Sequence, residues 1–137
     1  MGEAAMKHIT KGNADYEIDS AGTAAYHVGN LADPRMRATA SKHGIEITSR
    51  AREFVAEDFN DFDYILVMDD SNYRNVLSLA SSKEDEQKVF KLRYFDDEIY
   101  KNEDVPDPYY GGDAGFENVY QMVMRSCKNL KEYLDAQ

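Results

Sequence analysis

Between Val105 and Gly112 the chain reads Val-Pro-Asp-Pro-Tyr-Tyr-Gly-Gly. Pro106 and Pro108 fix φ on either side of Asp107, in a stretch that neither a helix nor a central strand accommodates. Tyr109 and Tyr110 follow as a pair of aromatics, and Gly111-Gly112 lets the backbone turn away. Such an octet puts a carboxyl group on a stiff loop beside an aromatic wall. On these residues alone it reads equally well as a surface turn, because Asp, Pro and Gly are the ordinary turn formers.

Other reactive side chains are sparse. Cys127 is the only thiol and lies on an apolar helical stripe without glycine-rich neighbours. It reads as a small buried hydrophobe. His8, His27 and His43 are scattered, with neither an HExxH pattern nor a second cysteine nearby. No metal and no other cofactor is expected. A single cysteine excludes an internal disulfide, which agrees with a reducing compartment.

The elements that must position these groups alternate. Gly2 to Thr10 is predicted helical and Tyr16 to Asp19 a short strand. Asp33-Pro34 marks a helix start, a capping carboxylate followed by proline at the first helical position, and the helix stops near Gly44. A short helix is expected at Ala56 to Phe59, a buried parallel strand at Tyr64 to Met68, a helix at Ser71 to Leu79, and a strand at Val89 to Tyr94. The polar run Ser81 to Lys88 reads as a solvated loop or helix end. Phe116, Val119, Tyr120, Val123, Cys127, Leu130 and Leu134 recur at spacings of three and four, one face of a terminal helix. Strands alternating with helices predict an α/β fold around a parallel sheet, with ligands bound beyond the carboxyl ends of the strands. Asp19, Ser20 and Asp69 stand at such ends.

The 137 residues suit one domain, 1–137, with room for a core. A formal charge of −10 argues against sequence-independent binding to nucleic acid. There is no apolar run long enough to cross a bilayer and no signal-peptide pattern, so a soluble cytoplasmic chain without a membrane partner is expected.

Five segments occur in one order: Asp19-Ser20-Ala21-Gly22-Thr23, Asp33-Pro34-Arg35, His43-Gly44-Ile45, Phe62 to Asp69, and the octet. In that order, and with similar gaps, the whole chain resembles the low-molecular-weight protein tyrosine phosphatase family. The resemblance implies a three-layer α/β sandwich around a parallel sheet of flavodoxin-like strand order. It implies a two-step reaction. A thiolate attacks phosphorus, backbone N–H groups and an arginine cradle the oxygens, and water then cleaves the phosphocysteine. Asp107 matches the general acid that protonates the leaving phenolate and later serves as base. Tyr109 and Tyr110 match the wall of the pocket, and Tyr26 a substrate-facing aromatic. Ser20 matches a serine supporting the nucleophile loop, with Asp19 beside it, and Asp69 matches another supporting carboxylate. For these three, ordinary capping or strand-end hydrogen bonding is the competing account. The implied substrate is a phosphotyrosine-containing protein or a small aryl phosphate.

The chain departs from the family's pattern at its start. Members carry a strand and then Cys-x5-Arg followed by Ser or Thr and Pro, whereas this sequence opens at Met1-Gly2-Glu3-Ala4-Ala5-Met6-Lys7, which resembles the helix after that loop. Cys127 does not substitute, since the residue six positions on is Tyr133. An N-terminally truncated domain is therefore expected, without nucleophile and inactive as written. The absent strand would lie centrally, between those ending at Asp19 and Met68. Its loss leaves two strand edges, at about 1–3 kcal/mol for each buried orphan group. Rearrangement, an upstream segment or another chain is expected to compensate, a strand-completing homo-oligomer among these. Two alternatives remain: a naturally non-catalytic binding or regulatory homologue, and an arsenate reductase of the same fold. The octet favours the phosphatase over the reductase.

Overall fold

The computed structural model describes residues 1–22, 29, 31, 33–48, 52–97, 103–106 and 112–137. Along these run α1 (Gly2–Ile9), α2 (Pro34–Lys42), α3 (Asp58–Asp61), β1 (Ile65–Val67), α4 (Asp70–Leu77), α5 (Lys83–Gln87), β2 (Val89–Lys91), a 3₁₀ turn (Leu92–Phe95) and α6 (Gly112–Asp135). The strands β1 and β2 pair in parallel, with Ile65 opposite Val89, Leu66 opposite Phe90 and Val67 opposite Lys91.

Alternation along these strands builds two cores. Ile65, Val67 and Val89 turn to one face and join Phe59 and Val76. Leu66, Met68 and Phe90 turn to the other and pack against a larger cluster from α1, α2, the 3₁₀ turn and α6. A pleat of period two places successive side chains on opposite faces, and a parallel sheet is stable only when both are covered. The result is three layers, as expected from the sequence. The stripe on α6 supplies much of the larger core: Phe116, Val119, Tyr120, Val123, Cys127 and Leu130 are buried.

Helix ends follow local chemistry. Asp33 accepts from the Arg35 amide at 2.8 Å, with Pro34 opening α2. That helix closes where Gly44 takes φ +78°, a conformation side-chain-bearing residues rarely adopt. The Gly44 amide then donates to Ser41 and the Ile45 amide to Ala40, both at 3.0 Å, which satisfies the last carbonyls. His43 at this end stacks on Tyr120 with centroids 3.9 Å apart and meets Glu117 at 2.7 Å, tying α2 to α6.

Four elements differ from expectation. Tyr16–Asp19 forms no ladder; the pairing in this part of the chain is a parallel bridge between Gly22 and Glu53. The short helix begins at Asp58 rather than Ala56. The strand expected to reach Tyr94 stops at Lys91, because the 3₁₀ turn lets Leu92, Arg93 and Phe95 all be buried. The polar run after Ser81 folds as α5, since Ser82 accepts from the Asp85 amide at 3.1 Å while Asp85 accepts from the Ser81 amide at 3.0 Å.

Candidate active site

The carboxyl end of β1 is where the parts meet. An added Cβ on Gly2 would lie 2.9 Å from Met68 Cε, so the first turn of α1 lies against the residue that follows β1. The Met68 carbonyl accepts from the Val105 amide at 2.7 Å, which draws residues 103–106 to the same place. A cleft of about 580 Å³ opens here, lined by Asp70, Lys91, Arg93, Glu103, Asp104, Pro106 and Met122. It lies beyond the strand ends, where ligands of parallel α/β sheets bind.

Asp69 accepts from the Asn72 amide at 2.7 Å and caps α4, the ordinary role foreseen as its alternative. Asp19 accepts from the Ser20 amide at 2.8 Å and from Arg52 Nε at 3.0 Å. Ser20 Oγ donates to Glu3 Oε1 at 2.8 Å, which ties the segment after Tyr16 to the first turn of α1. Asp19 and Ser20 thus belong to one hydrogen-bonded group with α1, and Asp69 stands at the end of β1. Asp107, Tyr109, Tyr110 and Tyr26 lie outside the described residues. The covalent neighbour of Asp107, Pro106, lines the cleft.

Several residues at the site carried no local sequence signal. Glu3 is nearly buried on α1, shared by Ser20 and Lys7. Lys91 Nζ sits between Asp104 Oδ1 at 2.5 Å and Asp70 Oδ1 at 3.0 Å. Burial alone would lower its pKa, but these carboxylates outweigh that and hold it above the ordinary lysine value. Arg93 donates to the Asp104 carbonyl at 3.1 Å and to Asp96 at 3.0 Å. Asp96 also takes Arg125 of α6 at 2.5 and 3.0 Å. Desolvation opposes ionisation of Asp96, yet Arg125, the Asp97 amide and Arg93 together hold its pKa below the usual carboxylate value.

Cys127 is buried in the larger core, where desolvation pushes its thiol up to about 12. It is no thiolate nucleophile at neutral pH. Among the described residues no group of three or more His, Cys, Asp and Glu is arranged to hold a metal, and no helix is long and apolar enough to cross a membrane.

A three-layer α/β fold with a cleft at the carboxyl end of its parallel sheet defines the structural class. Residues 1–137 match the family described as low molecular weight phosphotyrosine protein phosphatase. The low molecular weight phosphotyrosine protein phosphatase of Rattus norvegicus is 42% identical over 119 residues, covering 86% of this chain and 74% of that protein. Its Homo sapiens counterpart is 39% identical over 119 residues, with the same coverage. The crystal structure of protein tyrosine phosphatase from Entamoeba histolytica with Hepes in the active site superposes with a TM-score of 0.91 at 39% identity. That match covers 98% of this chain and 87% of the other. The chain belongs to the low molecular weight protein tyrosine phosphatase family.

Proposed function

We propose that this chain is the acid-bearing part of a phosphatase for phosphotyrosine in proteins or for small aryl phosphates, organised as one cytoplasmic domain. The observation that carries the reading is the cleft formed where residues 103–106 meet the segments that follow β1 and β2, with α1 packed against Met68 at the end of β1. Asp107 is the general acid. It delivers its proton to the leaving phenolate as the P–O bond breaks and a P–S bond forms. It then takes a proton from the water that cleaves the phosphocysteine. Tyr26, Tyr109 and Tyr110 form the aromatic wall, while Asp19, Ser20 and Asp69 hold the loop that carries the nucleophile.

That nucleophile is not among residues 1–137: the sole cysteine is Cys127, and no arginine stands six residues beyond it. The reaction requires a Cys-x5-Arg segment, which residues 1–137 do not supply, and these residues by themselves do not turn over. On this reading the open edge of β1 is satisfied by rearrangement, by a further segment or by a second copy of the chain.

The test is hydrolysis of phenyl phosphate by two forms. The 137-residue chain should show none. The chain extended upstream with a strand and Cys-x5-Arg-Ser-Pro should be active, and Asp107→Asn in it should slow turnover by about 10²–10⁴-fold. Ordinary turnover by the short chain, or full activity of the Asp107 variant, would refute the reading.

A further inference from the structure

The wall of the cleft also grips the segment leading to Asp107. Four residues before it, Glu103 meets Arg93 Nη1 at 3.4 Å. Three before it, Asp104 is held at its carboxylate by Lys91 at 2.5 Å and by the Asp70 amide at 3.1 Å, and at its carbonyl by Arg93 at 3.1 Å. Two before it, the Val105 amide is bound to Met68. The pairs are buried on the cation side and open on the carboxylate side, where Glu103 is 58% and Asp104 44% exposed. The Arg93 side chain is 4% exposed and that of Lys91 12% exposed. Arg93 is itself fixed by Asp96, whose fully buried carboxylate is gripped by Arg125 from α6.

We propose that Lys91 and Arg93 are positioning residues for the general acid, clamping residues 103–106, which lead into Asp107 in the sequence, to the ends of β1 and β2. This rests on the reading of Asp107 as general acid. The linkage is short and stiff: Val105 precedes Pro106, Pro106 has its φ fixed by the ring, and Asp107 precedes Pro108. Neither cation is asked to touch phosphate; both are engaged by carboxylates and a carbonyl of the protein.

Two measurements test this. In the active, extended form, Lys91→Met should lower kcat/KM for phenyl phosphate, which reads phosphoryl transfer before the shared hydrolysis of the phosphocysteine, by about 10- to 100-fold, the scale of a misplaced catalytic group. A nitrophenyl phosphate, whose leaving group departs without a proton, should lose less than about threefold in kcat/KM, and Lys91→Arg should restore most of the loss. Equal losses on both substrates, or no loss on either, would overturn the proposal. Asp107→Asn measured alongside separates the two readings. If it lacks the same leaving-group dependence, the general-acid assignment fails; if it shows it and Lys91→Met does not, the clamp alone fails. In the 137-residue chain, Lys91→Met should hasten hydrogen exchange of the Val105 amide at least about tenfold. Unchanged exchange would overturn the clamp without reference to activity.

Discussion

Replacing Asp96 by asparagine tests the ion cluster that anchors the cleft to α6. The Asp96 carboxylate is fully buried and takes Arg93 from one side and Arg125 from the other. Asparagine keeps the shape but removes the charge, and its amide group presents donors where both neighbours already donate. Breaking a buried pair by removing one partner costs about 3–5 kcal/mol, because Arg93 is buried and Glu103, at 3.4 Å and exposed, replaces little of what Asp96 supplies. An unfolding entropy of about 2.1 cal/mol/K per residue over this chain length converts each kcal/mol to about 3.5 °C. Asp96→Asn should therefore lower Tm by about 10–17 °C at pH 7, followed by circular dichroism or calorimetry. The same comparison at lower pH fixes the cause. The pKa of Asp96 is lowered in the fold, so its contribution is fully present above the unfolded value of about 3.9 and is lost as pH falls through the folded value. The gap between variant and parent should shrink below about pH 4. Asp97→Asn is the control: Asp97 is 59% exposed and 3.7 Å from Arg125, and it should change Tm by less than about 3 °C. A loss below about 3 °C for Asp96→Asn, or a gap that persists unchanged at pH 3, would refute the account.

Two smaller predictions follow from the core of α6. Burial holds the Cys127 thiol protonated, so iodoacetamide at pH 8 should modify the native chain at least about 10³-fold more slowly than the urea-unfolded chain; equal rates would show an accessible thiol. Ser126 is fully buried, and its Oγ has no hydrogen-bond partner among the described residues. Ser126→Ala should leave stability unchanged or raise it by about 1 kcal/mol in urea unfolding, whereas a loss above about 1 kcal/mol would reveal a partner for that hydroxyl.

The sequence was most legible where one local rule decided the outcome. The apolar run at Ile65–Val67, the stripe on α6 and the Asp33-Pro34 start each declare their element through period, cap or fixed φ. Legibility failed where burial is shared between rules. Leu92 and Phe95 continue an apolar segment that reads as strand, yet the chain tightens into a 3₁₀ turn to bury both. The site shows the same division. Asp107 stands out because two prolines frame it, whereas Lys91, Arg93 and Asp104 look like ordinary surface charges until the fold brings them together. Arg125 lies 29 residues from Asp96, and no local pattern joins them. Asp69 is the opposite case: its capping of α4 was readable from its place between an apolar strand and a polar helix start.

The charges around the cleft bear on how a phosphoryl group would be held. Among the described residues Asp70, Glu103 and Asp104 face Lys91 and Arg93, three carboxylates to two cations, and both cations are engaged in ion pairs. A phosphate dianion approaching this wall meets no surplus of positive charge; at about 6 Å and an effective dielectric constant near 20, each uncompensated unit charge would repel each unit of its charge by about 3 kcal/mol. The arrangement suits a different task. Carboxylates and cations that neutralise one another can fix a loop without competing for the substrate, provided the phosphate is held by an arginine and backbone amides from elsewhere. On the proposed reading the work is divided: a Cys-x5-Arg segment outside residues 1–137 binds and attacks phosphorus, while the cleft holds residues 103–106, which lead into Asp107. Phosphate should accordingly bind the extended form and not the 137-residue chain, even where both present the same ordered Asp104–Lys91 contact.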